Sequence, residues 1–420
     1  MNCVYPSIDI SYNMVFRSET MDNNVLIKQL SDKQLDEWYK LCVDSFAYKA
    51  NPPSFEYFKS HFEDDIFKLS DEPTRDIFIA CISSSNNILC SSARVFRRPH
   101  KSNSIIFGLG EVCTCILYQG LGISRCVLEL LHSYIDGHNN AISILHANNR
   151  LAGFYSKFGY KTFTNSMKWT YIETPVACKN INTDFIIKDD SQLYEVINGP
   201  ITSDLSVLLQ DSNILEQMVS IQSRFLIENN NQFIGLFSRS QLYYKKWYLS
   251  DWLRNKYPQG SYEFSSIMVA PIIDISNNNN ITSIPKNTIL IGWMYGPIKS
   301  DISEKPLRCR DFAIDLKMLR SLFKNIDIVD ETPHKWCLRL LLKNNSKLSI
   351  PSFVWNLLVR DENEYIYNLT KIKKYICRSI TDMRIVTETY NNYDEIDDGW
   401  MIRGCKADEF IPFVWPVDSF

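Results

Sequence analysis

The chain has 420 residues, of which 45% are hydrophobic and 13% aromatic, which is enough apolar surface for the cores of two or three domains. Its formal net charge of -3 at pH 7 gives no sign of binding to nucleic acid or to an acidic membrane surface. Apolar runs are too short for a membrane-spanning helix, and the amino terminus lacks the pattern of a secretory signal. We therefore expect a cytoplasmic protein with no nucleic-acid or membrane partner.

Twelve cysteines are scattered along the chain. No two of them form a Cys-x-x-Cys pair, and none is grouped with histidine at zinc-finger spacing. This pattern predicts reduced, mostly buried thiols and no metal site.

Hydrophobic periodicity predicts alternating strands and helices after a polar, irregular arm at residues 1–23. Ser31 to Gln34 form a capping-box pattern that opens the first helix. The predicted elements are a strand at 25–30, helices at 31–48 and 55–69, strands at 76–82 and 88–96, a segment at 104–109 leading into a central strand at 112–116, a helix after Gly122, a strand from 141, a short helix at Tyr155 and a closing strand at 166–172. The order β-α-α-β-β-β-α-β-α-β predicts an α/β (α+β) fold with a mixed central sheet flanked by helices.

The segment from Glu111 to Arg125 organises this region. It predicts a strand, a loop that contains Gly120 and Gly122, and an amphipathic helix. Glycines let backbone N–H groups approach a ligand, and the first helical turn adds unpaired donors and the positive end of the helix dipole. Such a loop is typical of a phosphate or pyrophosphate site, although a plain turn uses the same residues.

A second segment, Ala141 to Tyr160, predicts a strand, a loop and a short helix that ends at Gly159. Together the two segments resemble the GNAT (GCN5-related) N-acetyltransferase superfamily. Gln119 to Ser124 matches the family's Gln/Arg-x-x-Gly-x-Gly/Ala signature, with serine in the last position, and Asn148 to Tyr160 matches its Asn, Tyr and Gly-aromatic segment. The resemblance covers residues 24–172 by pattern order, so we expect a GNAT domain at 24–175.

The resemblance implies acetyl-CoA as the cosubstrate and direct acetyl transfer to an amine, without an acyl-enzyme and without a metal. The residues that it implies for acetyl-CoA binding are Val112, Cys113, Thr114, Gln119, Gly120, Leu121, Gly122, Ile123, Ser124 and Asn148. Backbone N–H groups of 119–124 would hold the pyrophosphate. The edge of the strand at 112–114 would bind the pantetheine arm and polarise the thioester, while its side chains, the thiol of Cys113 included, belong to the core.

Tyr155 matches the position of the family's general acid, and a phenol with a pKa of about 10 is a suitable proton donor to a thiolate. Three groups are candidates for the general base. Glu111 enters the central strand, where some family members keep a carboxylate, and His146 lies on the following strand; a solvated charge and a core histidine are the alternative interpretations. Phe420 ends an apolar carboxy-terminal segment, and in the similar bacterial enhanced-intracellular-survival acetyltransferases a terminal Phe carboxylate acts as the base.

A basic run follows the third predicted strand. Its members are Arg94, Arg97, Arg98, His100 and Lys101. We interpret it as a solvated strand end, with the 3′-phosphate of CoA as an alternative partner.

Residues 182–420 predict a second α/β region, a candidate degenerate GNAT-like domain followed by a carboxy-terminal segment. No second glycine signature occurs there, so we expect no second acetyl-CoA site. Helices are predicted at 192–197, 214–225, 242–257 and 311–323, and strands at 185–188, 233–237, 265–273, 288–295 and 338–342. Segments at 353–359, 366–375 and 380–388 extend this unit or form a third layer. An aromatic stripe from Tyr243 to Trp252 indicates a core, with the wall of a substrate cleft as the alternative.

These patterns predict an acetyl-CoA-dependent N-acetyltransferase that acts on a primary amine. The long carboxy-terminal region also resembles that of fungal lysine N6-acetyltransferases, which implies free lysine, another amino acid or a polyamine as the small-molecule acceptor. The alternatives are a protein lysine acceptor and a non-catalytic acyl-CoA-binding scaffold protein. The sequence leaves the acceptor and the formation of a homo-oligomer open.

Overall fold

The computed structural model describes residues 12–18, 21–49, 52–82, 88–99, 105–162, 169–173, 186–189, 192–197, 205–229, 233–234, 237, 239–256, 262–271, 284–297, 309–315, 317–318, 321, 347–351, 400–404 and 411–412. These residues fall into two compact units. The first contains the described residues up to Thr162 together with those from Trp400 to Pro412, and the second contains those from Trp169 to Pro351.

The first part of the chain contains these strands and helices: β1 Tyr12–Ser18, β2 Met21–Gln29, α1 Leu35–Phe46, α2 Phe55–Glu63, β3 Ile77–Ile82, β4 Ile88–Pro99, β5 Ile105–Thr114, α3 Ile123–Asp136, β6 Ile142–His146, α4 Ala152–Tyr155 and β7 Lys161–Thr162. Short 3-10 helices lie at Asp32–Gln34, Pro73–Asp76, Ile116–Tyr118, Asn149–Leu151 and Ser156–Phe158. The remaining elements are β8 Trp169–Glu173, β9 Ile186–Asp189, β10 Gln192–Ile197, α5 Leu205–Leu208, α6 Ser212–Asn229, β11 Phe233–Ile234, α7 Gln241–Tyr243, a π-helix Tyr244–Tyr248, α8 Leu249–Lys256, β12 Tyr262–Pro271, β13 Ile289–Pro297, β14 Asp311–Ile314, β15 Lys347–Pro351, β16 Trp400–Arg403 and β17 Ile411–Pro412.

The first unit is built on an eight-stranded sheet of order β1-β2-β3-β4-β5-β6-β16-β7. Strands β5 and β6 are parallel, and every other described pair in this sheet is antiparallel. The predicted mixed sheet with flanking helices is therefore confirmed. The arm predicted as irregular at residues 1–23 contains β1, which pairs with β2 from Tyr12 to Ser18.

Helices cover both faces of this sheet because its side chains alternate. On β3, Phe78, Ala80 and Ile82 pack with α3, which buries Val127 and Leu131 completely. The intervening residues of β3 pack with Trp38 of α1 and Phe62 of α2 on the other face. Burying each large aliphatic side chain contributes about 1.5–3 kcal/mol, so these two cores fix α1, α2 and α3 on the sheet.

The closing strand of this sheet comes from the far end of the chain. Strand β16 lies between β6 and β7, pairing Ile402 with Ile144 and with Lys161. The strand predicted at 166–172 forms over Trp169–Glu173, but its predicted role of closing this sheet is wrong, since it pairs with β15 in the second unit. Local periodicity predicts a strand but carries no information about a partner hundreds of residues away.

Arg403 of β16 is hydrogen-bonded to the segment that precedes β7. Its Nε donates to the carbonyl oxygen of Phe158 at 2.8 Å, and its Nη2 donates to Asp136 Oδ2 of α3 at 2.7 Å. Gly159 follows at a φ of 85°, with the Arg403 side chain 3.6 Å from where a Cβ would stand. This contact links the carboxy-terminal strand to the predicted Gly-aromatic segment.

The second unit contains a five-stranded antiparallel sheet of order β14-β13-β12-β10-β9. Asp311 of β14 is its buried anchor, because its carboxylate accepts from Arg239, from the Tyr248 hydroxyl and from Trp293 Nε1 at 2.8–3.0 Å. The aromatic stripe from Tyr243 to Trp252 is core, with every aromatic ring in it at most 2% exposed.

Two predictions for this unit are wrong. Residues 192–197 form strand β10 rather than a helix, and residues 311–314 form strand β14 rather than the start of a helix. Both segments contain short apolar runs that fit the periodicity of a helix as well as that of a strand. Pairing of β10 with β12 and of β14 with β13 makes them strands. The segments predicted at 338–342, 353–359, 366–375 and 380–388 lie outside the described residues.

None of the described helices combines the length and the apolar character needed to cross a membrane. Within the same residues, no cluster of His, Cys, Asp or Glu side chains is arranged to hold a metal ion.

The placement of β16 predicts that a substitution near the carboxyl end destabilises the first unit. Ile402 is fully buried between β6 and β7, so Ile402→Ala should lower the free energy of unfolding by about 2–5 kcal/mol. Ile88→Ala is the matched control, because Ile88 is 50% exposed on β4 and its loss should cost no more than about 0.5 kcal/mol. Urea denaturation followed by fluorescence measures both; equal midpoints for the two variants would contradict the position of β16.

Buried His132 of α3 predicts a loss of stability in mild acid. Burial, with the Arg403 cation adding to it, lowers the pKa of His132 to about 4, whereas the unfolded chain keeps a histidine pKa of about 6.5. As the pH falls, the unfolded state therefore binds a proton before the folded state does. The contribution of His132 to the free energy of unfolding is complete above pH 6.5, and about 3 kcal/mol of it is lost as the pH falls toward 4.

The variant His132→Gln isolates this contribution. Glutamine retains a donor toward the Tyr160 hydroxyl, which His132 Nε2 contacts at 3.2 Å, but it does not titrate. Its unfolding free energy should fall less steeply between pH 7 and pH 4.5 than that of the unmodified protein. His146→Gln, at an exposed position, should follow the unmodified curve; identical curves for all three proteins would refute the prediction.

Candidate active site

Strands β5 and β6 separate at their carboxyl ends. Their parallel pairing runs from Ile106 with Ile142 to Leu109 with Leu145, whereas β5 remains paired with β4 up to Thr114. No described strand pairs with residues 110–114 on the side of β6. The edge of β5 therefore offers backbone N–H and C=O groups to a ligand.

A β-bulge begins where the two strands part. Ser92 of β4 pairs with Cys113 and Arg94 pairs with Gly110, so Glu111 and Val112 lie opposite a single residue. Glu111 has a φ of 51°, a left-handed conformation that costs a non-glycine residue about 1–2 kcal/mol. Bulges redirect side chains next to functional sites, and this one turns Glu111 into the interior.

The Glu111 carboxylate belongs to a buried ionic cluster, which we call the Glu111 cluster. It comprises Glu111, His61, Arg94, Asp65 and Arg98, each at most 9% exposed. Glu111 Oε1 lies 2.8 Å from His61 Nδ1 and its Oε2 lies 3.4 Å from Arg94 Nη1. Asp65 joins the two arginines, at 2.9 Å from Arg94 Nη2 and 3.1 Å from Arg98 Nη1.

The arginines determine the ionisation of Asp65. Burial alone would raise the pKa of this carboxyl group, but Arg98 and Arg94 more than offset it and hold the pKa below its usual value. Asp65 is therefore an anion at neutral pH. Breaking one partner of such a buried pair costs about 3–5 kcal/mol, so the cluster rigidly joins α2 to the sheet.

The glycine loop leads from β5 into α3. Gly120 and Gly122 both have a φ of 79°, and no heavy atom lies within 4 Å of where a Cβ would stand on either. Gln119 Nε2 donates to the carbonyl oxygen of Thr114 at 3.1 Å, which ties the loop to the end of β5. The loop is thus a fixed, open cradle.

The first turn of α3 faces this cradle with unpaired donors. Gly122 is the N-cap and makes no side-chain capping bond, so the backbone N–H groups of Ile123 and Ser124 have no partner within the helix. Such groups, with the helix dipole, bind phosphate. The loop and helix therefore fit a pyrophosphate, and Leu121, 44% exposed, borders the cradle.

The predicted side chains of β5 point away from the exposed edge. Cys113 packs toward α1, with its Sγ 3.9 Å from Cys42 Sγ and 3.2 Å from Ser92 Oγ. Thr114 Oγ1 lies 2.8 Å from Ser91 Oγ, and Val112 packs against the core that contains α3. The prediction that the side chains of this strand belong to the core is confirmed for Val112 and Cys113, and the use of the strand edge by a ligand stays a prediction.

Tyr155 ends α4 with its ring in the core and 6% of the residue exposed. Burial raises the pKa of its phenol to about 12. Among the described residues its hydroxyl group has no hydrogen-bond partner, whereas the neighbouring Tyr160 bonds to Ser143 Oγ at 2.6 Å. Tyr155 is therefore a protonated donor that is not committed to another acceptor.

Two predicted residues have local structural contacts. Asn148 Oδ1 accepts from the backbone N–H of Arg150 at 3.0 Å and caps the 3-10 helix at Asn149–Leu151, which leaves its amide nitrogen at an exposed position. His146 is exposed at the end of β6, with its ring 4.9 Å from that of Trp400. The interpretation of His146 as a core histidine is wrong, because β16 covers only part of it. Phe420 lies outside the described residues.

The basic run is neither a solvated strand end nor a phosphate site at its arginines. Arg94 and Arg98 belong to the Glu111 cluster, and Arg97 is 7% exposed and binds Asp76 through its Nε at 2.9 and 3.0 Å. Tyr134 of α3 also contacts Asp76 and Arg97. His100 and Lys101 lie outside the described residues.

Sequence reasoning missed His61, Asp65 and Asp76. The first two lie in or just after α2, whose pattern signals only an amphipathic helix. A run of three arginines on an otherwise apolar strand was the available signal, because buried arginines require buried carboxylates.

No protein-family model matches the sequence, and no curated protein sequence matches it. Among solved structures, the chain is similar to acetyltransferases of the GNAT superfamily. A GCN5-related N-acetyltransferase from Anabaena variabilis is 12% identical, with 77% of this chain and 65% of the other covered and a TM-score of 0.45. Eis1 from Mycobacterium abscessus is 12% identical, with 78% and 66% covered and a TM-score of 0.41.

A smaller relative matches a shorter part of the chain. It is a GNAT family acetyltransferase from Brucella melitensis in complex with acetyl-CoA, 16% identical, with 33% of this chain and 82% of the other covered and a TM-score of 0.27. The chain spans only 65–66% of the length of the two larger proteins.

The geometry of the cradle predicts that Gly122→Ala weakens the binding of acetyl-CoA. We expect the alanine to relax from the left-handed conformation in the free loop, so that returning to it on binding costs about 1–2 kcal/mol, which corresponds to roughly a tenfold rise in Kd. Gly153→Ala is the matched control, since Gly153 lies in α4 with open space around it and no positive φ. Isothermal titration calorimetry compares the two, and equal affinities would argue against the cradle.

Proposed function

We propose that the chain is an acetyl-CoA-dependent N-acetyltransferase that moves an acetyl group directly to a primary amine. One observation carries the proposal: the uncapped start of α3, behind two left-handed glycines, adjoins the edge of β5 that β6 leaves unpaired. The first feature suits a pyrophosphate and the second suits an extended, amide-containing arm. The signature residues Gln119 to Ser124 fall on the same loop.

Acetyl-CoA supplies an activated thioester in this reaction. The N–H groups of Gly120 to Ser124 would bind its pyrophosphate, and the β5 edge at Val112 to Thr114 would bond its amide arm and donate to the thioester oxygen as negative charge develops there. Asn148, exposed beside the same opening, would add a contact through its amide nitrogen. These contacts hold the reacting carbon in place without a covalent enzyme intermediate.

Two protons leave the acceptor ammonium as the bond between its nitrogen and the acetyl carbon forms. The first goes to Glu111, the proposed general base. The uncommitted hydroxyl of Tyr155 donates a proton to the sulfur as the carbon–sulfur bond breaks, and the second proton from the nitrogen restores the phenol. Products are an acetylated amine and a free thiol.

A small amine such as free lysine, another amino acid or a polyamine is the proposed acceptor. The terminal carboxylate of Phe420 is a second proposed base, and a protein lysine is a second proposed acceptor. A non-catalytic acyl-CoA-binding protein would use the same cradle. Turnover separates this last alternative from the enzyme.

The direct experiment measures thiol release from acetyl-CoA with a panel of amines, alongside calorimetric binding of acetyl-CoA alone. The proposal expects binding in the absence of amine and thiol release that depends on one class of amine. Binding without thiol release for every amine would favour the scaffold protein, and absence of binding would refute both.

Tyr155→Phe should reduce kcat by about 10²-fold or more while acetyl-CoA still binds, because the variant loses only the proton donor. Tyr48→Phe is the control, since Tyr48 is 79% exposed after α1. Steady-state kinetics with thermal unfolding as a folding check decides the matter. A kcat within roughly threefold of the unmodified protein would remove Tyr155 from the mechanism.

The two proposed bases predict opposite effects of Glu111→Gln and of the deletion of Phe420 on kcat. If Glu111 is the base, Glu111→Gln lowers kcat by about 10²-fold or more and deletion of Phe420 leaves it within a few-fold. If the terminal carboxylate is the base, the pattern reverses. Both variants are measured at saturating acetyl-CoA, and full activity in both would exclude both groups.

A further inference from the structure

We propose that His61 is a positioning residue for Glu111: its Nδ1 orients the carboxylate, and protonation of its imidazole switches the carboxylate from an effective base to a weak one. The inference rests on the proposed function and adds a residue that no sequence motif indicates. It follows from the packing of the imidazole, from the charges around it and from the geometry of the bulge.

Packing fixes the orientation of the imidazole. His61 is 5% exposed, and its ring stacks on Tyr57 with the centroids 5.4 Å apart and the planes at 19°. Phe96 of β4 lies on another side at 5.4 Å. A ring held this way keeps Nδ1 directed at Glu111 Oε1, 2.8 Å away.

The cationic and anionic side chains of the Glu111 cluster are equal in number before His61 takes up a proton. Arg94 and Arg98 balance the carboxylates of Asp65 and Glu111, so the buried cluster is neutral when His61 is neutral. The carboxylate of Glu111 then accepts a bond from a neutral imidazole and remains free to take a proton from the acceptor. A proton on His61 gives Glu111 a second cationic partner, which stabilises the carboxylate and lowers its basicity.

Among the described residues, the imidazole lies beside members of the same ionic cluster and beside aromatic rings. Glu111 comes from β5, Arg94 and Arg98 from β4, Asp65 follows α2, and Tyr57 lies on α2 itself. Tyr39 of α1 also lies near the cluster, and burial followed by the charge of Glu63 raises its pKa. Its phenol is therefore neutral, and His61 is the member of the cluster whose side-chain type ordinarily changes charge between pH 5 and pH 8.

The bulge explains why orientation matters here. Glu111 has a left-handed backbone, so its side chain leaves the strand in a direction that regular pairing would not give. Arg94 contacts Oε2 at 3.4 Å, a longer approach than the 2.8 Å between Oε1 and His61. His61 is thus the closer of the two groups that hold the buried Glu111 carboxylate.

The first test uses the unmodified protein. The acid limb of kcat/KM against pH reports groups of the free enzyme, and it should have the same midpoint as the NMR titration of the His61 ring C–H signals. Midpoints that differ by more than about one pH unit would overturn the inference.

The second test uses His61→Asn. The asparagine amide nitrogen stands where Nδ1 stood and keeps a donor to Glu111, but it cannot take a proton. The acid limb should move to lower pH by about one unit or more, with kcat at the plateau within a few-fold of the unmodified value. His138→Asn is the matched control, because His138 Nδ1 bonds to the carbonyl oxygen of Tyr134 at 3.0 Å, at the far end of α3 from the glycine loop. An unmoved acid limb in His61→Asn would overturn the inference.

The NMR titration does not depend on turnover. Glu111→Gln removes the anion that stabilises the imidazolium, so the His61 midpoint should fall by about one unit or more. If acetyl-CoA turnover persists but this midpoint does not move, the inference fails alone. If no amine supports turnover, the proposed function fails and the role of His61 in it fails as well.

Discussion

Strand β5 cannot remain paired with both of its neighbours, and the site depends on this constraint. The bulge at Glu111 and Val112 keeps β5 in register with β4 while its pairing with β6 stops at Leu109. The backbone N–H and C=O groups of β5 beyond Leu109 must form hydrogen bonds with other partners or with water, because unpaired backbone groups are costly when buried. In the proposed function, the amide arm of acetyl-CoA would be such a partner, and the glycine loop at the end of the same strand would supply donors for its pyrophosphate.

Buried charge holds this geometry in place. The left-handed conformation of Glu111 costs about 1–2 kcal/mol, and its contacts with His61 and Arg94 offset that cost. Asp65, which follows α2, pairs with Arg94 of β4, so the position of α2 is coupled to that of the sheet. If His61 is protonated as we propose, the same cluster would make the site sensitive to pH as well as rigid.

Local chemistry explains which features the sequence could predict. The loop from Gln119 to Ser124 was predictable because two closely spaced glycines between a strand and an amphipathic helix are a local pattern. The role of Tyr155 follows from the family resemblance and stays a prediction. Strand β16 and the contacts of Arg403 were not predictable, since a register between Ile402 and Ile144 leaves no local pattern. His61 was hidden for the same reason, because its partner Glu111 lies fifty residues further along the chain.

A crystal structure with acetyl-CoA tests the central claim most directly. The account predicts a pyrophosphate within hydrogen-bond distance of the backbone N–H groups of Gly122, Ile123 and Ser124. It also predicts the amide arm along β5 from Glu111 to Thr114, with the sulfur facing the Tyr155 hydroxyl. Acetyl-CoA bound elsewhere, or β5 and β6 closed against each other with the ligand excluded, would contradict it.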